Sequence, residues 1–294
     1  MIASENVFTN NETAIAALTG LYVNMTRYVS EGGGFSGSFG VSVLAGLSSD
    51  EFSTISSSAP WSNYYTNTLG VNGSFIGSEF WSPLYNYVLK CNSVIEGLSD
   101  KAAEALTPSV RQQLFGEAKF MRAFYYFYLV NLYGDLPLAV ISDYKFNSLL
   151  SRSPKAAVYQ QIIADLEEAR EQLSADYLAP SLLSKSEHRI RPTKWAANAL
   201  LARVYLYTDN YSAAEAASST VINNNVQFEI TSLDSVFLKN SKEAIWQIQP
   251  TAVNFNTADA RTFILPSSGP GTSTDWPVFL SPQLLNSFEK GDTR

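Results

Sequence analysis

Apolar residues recur along this chain at helical spacing, in blocks separated by stretches rich in glycine, serine and asparagine. The densest block, residues 117–135, reads EAKFMRAFYYFYLVNLYGD and carries Phe120, Phe124, Tyr125, Tyr126, Phe127, Tyr128 and Tyr133. It has no proline, and Gly134 stands where a helix wants a left-handed terminal residue. Asp135 and Pro137 then forbid continuation. With Thr107 and Pro108 as N-cap and first-turn proline, the pattern predicts one helix over residues 111–133. Phe120, Phe124, Phe127 and Tyr128 make one face, while Tyr125, Leu129, Leu132 and Tyr133 make another. A helix apolar on more than half its circumference needs neighbours on several sides, so this is an inner helix of a multi-helix array. Its aromatics read as core, and their hydroxyls need partners there.

Other blocks follow the same logic. Residues 11–28 form a first helix, capped by Asn10 or Asn11, with Ile15, Leu18, Leu21, Tyr22 and Met25 on one face. In residues 78–98, Phe80, Leu84, Val88, Cys91 and Ile95 repeat at helical intervals. Ser153-Pro154 opens a helix whose stripe is Val158, Ile162, Leu166, Ala169 and Leu173; Asp165, Glu167, Glu168, Arg170 and Glu171 are expected on its solvated outside. Residues 192–207 are alanine-rich, which lets a partner helix approach closely, and 211–223 follow after a tight turn at Thr208-Asp209-Asn210. Residues 244–248 read as strand-like, and a last helix starts near Ser281-Pro282.

Between the first two helices the character changes. Residues 29–77 are dominated by glycine, serine and asparagine, punctuated by Phe35, Phe39, Phe52, Trp61, Tyr64, Tyr65 and Phe75. A long irregular excursion is functional or disordered, and aromatics argue against disorder.

Composition narrows the function classes. The chain has 294 residues, 46% of them hydrophobic and 16% charged, against a usual charged share of about a quarter. Serine, asparagine and threonine fill the difference, which suits an extracellular or periplasmic surface. A net charge of −7 without any basic run disfavours nucleic-acid binding, which requires a concentrated positive face. One cysteine, Cys91, excludes an internal disulfide and a cysteine-based zinc site. No apolar run is long enough to span a bilayer, and the residues after Met1 lack signal-peptide character.

Residues 198–221 can be laid against the helix-turn-helix repeat of about 34 residues. Leu201, Ala202, Tyr205 and Ala214 fall on its large, small, aromatic and small positions; Asn198 and Ser218 depart from it. The helices at 78–98 and 111–133, and at 153–173 and 192–208, are expected as further pairs. The expected fold is therefore mainly α: tetratricopeptide-like helix pairs with long irregular loops and a few short strands. One domain, 1–294, would hold a helical scaffold at 1–30 and 78–224 and loop-rich insertions at 31–77 and 225–280.

Several ordered segments carry a family resemblance: VFTNNETAIAALTGLY at 7–22, FWSPLYNYVLKCNSVIEGL at 80–98, GEAKFMRAFYYFYLVNLYGDLPL at 116–138, SRSPKAAVYQQIIADLEEA at 151–169, RPTKWAANALLARVYLY at 191–207 and NFNTADA at 254–260. In this order they resemble the SusD/RagB outer-membrane nutrient-binding lipoproteins of Bacteroidetes. The resemblance implies a tetratricopeptide-like scaffold displaying a loop-rich ligand surface. It implies a cell-surface, outer-membrane location through a lipidated N-terminal cysteine, and an oligosaccharide ligand passed to a SusC-like TonB-dependent transporter barrel. Some branches take peptides or other nutrients instead. The lipid-bearing cysteine is absent here, Cys91 being too internal, and a chain of this length is expected to stop short of the family's C-terminal part.

Sugar binding asks for flat apolar faces beside planar hydrogen-bonding groups. Residues 50–65 offer Asp50, Trp61, Asn63, Tyr64 and Tyr65, and Asp275 with Trp276 form a second candidate group. The opposing reading of Trp61 is an anchor for its loop; Trp81 and Trp195, in helices, read as core. No catalytic residue, metal ligand or cofactor site is expected. His188, the one histidine, lies in the polar SKSEHRIRP connection and reads as solvated. Two rivals belong to other classes. A protein–protein adaptor would have a concave groove free of loop insertions. A glycosidase would need two paired carboxylates, and spacing pairs none.

Overall fold

The computed structural model describes residues 4–26, 35–70, 80–250, 256–272 and 276–292. In chain order the named elements are α1 (Asn11–Thr26), α2 (Val41–Ser48), β1 (Phe52–Ser53), α3 (Trp61–Tyr65), α4 (Ser82–Ser99), α5 (Pro108–Tyr133), α6 (Tyr144–Asn147), α7 (Lys155–Gln172), α8 (Lys194–Tyr207), α9 (Tyr211–Ile222), α10 (Ala258–Phe263), β2 (Phe279–Leu280) and α11 (Pro282–Ser287). They divide into two units: Met1–Leu21 with Leu84–Ile248, and Tyr22–Pro83 with Gln249–Arg294.

In the first, helical unit, α5 packs on α7, α7 on α8 and α8 on α9, the mainly α repeat architecture expected from the periodicity. The closest partner of α5 is α7, because Gly116 brings their backbones together: a Cβ there would stand 3.0 Å from Gln172 Cβ and Leu173 Cγ. On its other side α5 meets α4 through long side chains, such as Tyr87 stacked on Tyr125 with ring centroids 5.0 Å apart.

The sequence signals at the helix ends hold, with two exchanges of role. Pro108 is the first residue of α5, and Gly134 ends it at φ 70°, its N–H reaching Val130 O at 3.1 Å. Asn10 caps α1 through Thr13 N at 3.0 Å. Asn11 is thereby free to bind Thr107: its amide donates to Thr107 Oγ1 at 2.9 Å and accepts from Thr107 N at 3.0 Å. At α7, Ser153 is not the cap. Its backbone pairs with Leu136, and Asp135 Oδ1 accepts the N–H of Lys155 at 2.8 Å.

The aromatic residues of α5 are core, as their pattern predicted. Phe120, Tyr125, Tyr126 and Phe127 are buried, Tyr126 Oη donates to Ala139 O at 2.7 Å, and Trp246 lies edge-on to Phe120 and Phe124 at 5.3 and 5.9 Å. Burial pushes the phenol pKa values of Tyr125, Tyr126 and Tyr128 up, by withdrawing water from the phenolate. Leu132, assigned to an apolar face, is exposed, while Tyr126, assigned to neither face, is sealed.

The solvated outside expected of α7 fails at Asp165. Asp165 is not solvated: it is fully buried and meets Arg122 in a bidentate pair, Nε–Oδ2 and Nη2–Oδ1 both 2.7 Å, with Lys119 Nζ at 3.2 Å from Oδ1. Arg122 also donates to Asn92 Oδ1 at 2.8 Å and Val140 O at 3.1 Å, so the cluster ties α4, α5, α7 and the following loop together. A second buried acid, Glu117, accepts from Arg191 at 2.8 Å and Gln113 at 3.0 Å. The stripe on α7 was read correctly, but α5 turns cations as well as rings toward it, and a buried cation requires an acid.

Residues 244–248 form no strand. This stretch is held instead by buried Arg189, which donates to Ala244 O at 2.8 Å, Gln227 O at 2.6 Å and the Tyr177 hydroxyl at 2.9 Å. Tyr177 Oη donates to Ile245 O and Gln247 N to Arg189 O, both at 2.8 Å, so side chains and one backbone bond satisfy groups a partner strand would otherwise have paired.

In the second unit, α2 packs on α3 and on β1, and β1 pairs antiparallel with β2 in the register Phe52↔Leu280 and Ser53↔Phe279. Gly46 of α2 is required by close approach: a Cβ there would stand 2.4 Å from Phe52 Cδ2.

Candidate functional site

The sequence candidates all lie in the second unit, on segments more than two hundred residues apart. A seam of short side chains brings two of these segments together. Beside the β1–β2 pair, Thr54 Oγ1 donates to Pro277 O at 2.6 Å and Ser56 Oγ donates to Thr272 O at 3.2 Å. At the other end Ser281 Oγ donates to Asp50 O at 2.6 Å, and Ser281 N to Glu51 O at 3.0 Å. Small hydroxyls suit this work because they reach backbone carbonyls without holding the chains apart.

Asp50 and Trp276 flank the seam. Asp50 is exposed, and both residues have left-handed backbone, φ 63° and 53°. For Asp this is an accepted turn geometry; for a bulky tryptophan it is strained, and surrounding bonds must hold it. Here Gly271 N donates to Trp276 O at 2.8 Å, and the carbonyl of the next residue, Pro277, accepts from Thr54. The Trp276 side chain is half-buried. Asp275 lies outside the described residues.

The remaining candidates ride on α3. Trp61 is 4% exposed: its indole N–H donates to Ser38 O at 2.7 Å, and its ring tilts on Phe39 at 4.9 Å. In this geometry Trp61 anchors α3 and offers no open face, which is the anchoring reading rather than the stacking one. The physical reason is its position at the first turn, facing the 38–40 backbone. Anchoring Trp61 leaves the far end of the same short helix outward: Asn63 and Tyr64 are half-buried and Tyr65 is 41% exposed. Ser48 Oγ binds Tyr64 O at 3.0 Å, and Thr68 N binds Asn63 O at 2.9 Å, fixing the backbone under those side chains.

Sequence reading missed the residues that build the frame: Ser38, Thr54, Ser56, Ser281 and Asp259. Asp259 Oδ1 accepts the N–H of Gly37 at 2.8 Å, pinning the loop that carries Ser38. Burial raises its carboxyl pKa, partly opposed by that N–H. No local pattern marks such residues, although the serine and threonine enrichment of 48–58 was its only trace.

Among the described residues no group of three or more His, Cys, Asp or Glu could hold a metal ion. His188 is exposed, in a loop of the helical unit. Among the described residues no helix is long and apolar enough to cross a membrane.

Comparison with known proteins converges on one family. Residues 12–206 match the model of the SusD-like family described as starch-binding, associating with the outer membrane. SusD-like protein P2 of Formosa agariphila is 32% identical over 167 residues, 55% of this chain and 30% of that protein. A SusD-like protein of Bacteroides ovatus is 32% identical over 135 residues, 44% of this chain and 22% of its own length. The chain thus spans less than a third of these curated relatives. Among solved structures, a SusD superfamily protein from Parabacteroides distasonis superposes with a TM-score of 0.78 at 26% identity, covering 96% of this chain and 60% of that one. A laminarin-binding SusD-like protein shares the fold, with a TM-score of 0.62 at 22% identity, over 76% of this chain and 46% of that one. With the tetratricopeptide-like unit, the matched helices and this agreement together, the chain belongs to the SusD-like family.

Proposed function

We propose that this chain captures oligosaccharide at the outer membrane, the ligand resting on the loop-rich unit at Tyr64, Tyr65 and Trp276 with Asp50, Asn63 and Asp275 supplying polar contacts. The carrying observation is the seam that pins Asp50 and Trp276 in left-handed backbone beside one another's segments. Strain held in place by surrounding bonds is characteristic of ligand-contacting positions. Support also comes from the family description, starch-binding and associating with the outer membrane, and from a family relative by fold that binds laminarin. Pyranose rings present C–H faces that pack on half-exposed tyrosine and tryptophan, while their hydroxyls pair with carboxylate and amide groups. Trp61 then acts from beneath, by holding α3.

The finer reading follows the same line. Bound glycan is handed to a SusC-like TonB-dependent transporter barrel, and a lipid anchor keeps the protein at the cell surface. Capture of this kind does no chemistry; it raises the local ligand concentration at the transporter.

Titration calorimetry against a panel of neutral glycans, starch and laminarin fragments included, tests the proposal. Tyr65→Ala and Trp276→Ala should each weaken binding by about tenfold, a typical stacking contribution of roughly 1–2 kcal/mol. Unchanged affinity in both variants, with their folding intact by circular dichroism, would remove the assignment.

A further inference from the structure

A cavity lies in the helical unit, between α7, α8 and α9, lined by none of the candidate residues named above. It has a volume of about 550 Å³ and is lined by Arg170, Glu171, Lys194, Trp195, Asn198 and Thr220, among others. That size suits a single sugar-sized ligand, by the usual range of roughly 300–1,000 Å³ for small-molecule pockets.

Three observations give it chemistry. Asn198 is 4% exposed, yet its side-chain amide has no hydrogen-bond partner among the described residues. The amide therefore faces the cavity with its donors and acceptor open to a ligand hydroxyl. Lys194 makes no ion pair among the described residues; its ammonium sits over the Trp195 ring at 4.6 Å, held at the cavity rather than extended into solvent. Arg170 has only a loose contact with its neighbour Glu171, at 3.7 Å. Trp195 is itself fixed, its indole N–H donating to Ala175 O at 2.8 Å and its ring edge-on to Phe228.

We infer that this cavity binds an acidic sugar unit, a hexuronate, through its carboxylate on Lys194 and Arg170 and its ring hydroxyls on Asn198, Glu171 and Thr220. Lys194 and Arg170 outnumber Glu171 on the wall, and this net positive charge favours an anion over a neutral sugar. The neutral amide, hydroxyl and acid on the remaining wall select a polyhydroxylated body over a simple ion. The saccharide class rests on the function proposed above, whereas the site itself rests on residues of the other unit.

The test is a titration of the protein with methyl β-glucuronoside, methyl β-glucoside and acetate, read by the indole N–H signal of Trp195 in a nitrogen-15 spectrum, assigned with Trp195→Phe. The expected result is a saturable Trp195 shift with the glucuronoside alone. Lys194→Met and Arg170→Gln, both on partly exposed positions, should each weaken it about tenfold, and Tyr65→Ala should leave it unchanged. No Trp195 shift, or full affinity in both cation variants, overturns the site. Equal binding of acetate overturns the sugar acid. Neutral glycans that ignore Tyr65 and Trp276 would fail the loop site while leaving the uronate result standing.

Discussion

Asp165 shows how far a single residue can depart from its sequence neighbourhood. It sits among Glu167, Glu168, Arg170 and Glu171 on a helix with a clear apolar stripe, yet it is sealed against Arg122 and Lys119. Removing its charge would leave buried Arg122 without its acid and Lys119 with Glu168 alone, at a cost of about 3–5 kcal/mol. Asp165→Asn should therefore lower the urea midpoint of the helical unit steeply, whereas Glu167→Gln, on the exposed face, should shift it little. Asp259 links stability to pH. Its pKa in the folded chain is raised by burial, so its favourable contribution is fully present below the unfolded value of about 4 and is lost as pH rises through the folded value. Asp259→Asn keeps an acceptor for Gly37 N–H without that penalty. Thermal melts from pH 4 to 7 should show a shallower fall in the variant than in the parent.

At the scale of elements, the ends and contacts decide. Asp135 follows Gly134 in the GDLP turn after α5 and caps α7, so one residue couples the end of one helix to the start of the next. Asp135→Ala should cost about 1 kcal/mol, seen as faster hydrogen exchange at the first amides of α7. In the other unit, Gly46 lets α2 lie against Phe52. Gly46→Ala must push that ring aside, since its new methyl would stand 2.4 Å from Phe52 Cδ2. A loss of roughly 1–3 kcal/mol is expected, and β1–β2 pairing should loosen with it. Proteolysis between residues 50 and 60 would report that.

At the scale of the whole molecule, the two units are built by different means. The helical unit has a stacked array with aromatic and ionic cores, and the other unit has minimal regular structure held by backbone bonds from serine and threonine. The capture proposed above is binding without chemistry. Incubated with the glycans it retains, the protein should release no reducing ends; a steady release would restore the glycosidase reading.

The sequence by itself determined the helices, most of their caps, the core role of the α5 aromatics and the family. Those features are local: apolar period, proline and glycine placement and capping side chains act within a few residues, so they are written in consecutive positions. Only the tertiary structure decided that Asp165 and Glu117 are buried acids, that Arg189 and Tyr177 replace a strand partner for 244–248, that Trp61 anchors while Tyr65 faces out, and that Asp50 meets the Trp276 segment. Each of these depends on a partner scores of residues away or on which side of a short helix faces protein. Long-range pairing leaves no period in one sequence, and a side chain's burial depends on what the rest of the chain brings against it.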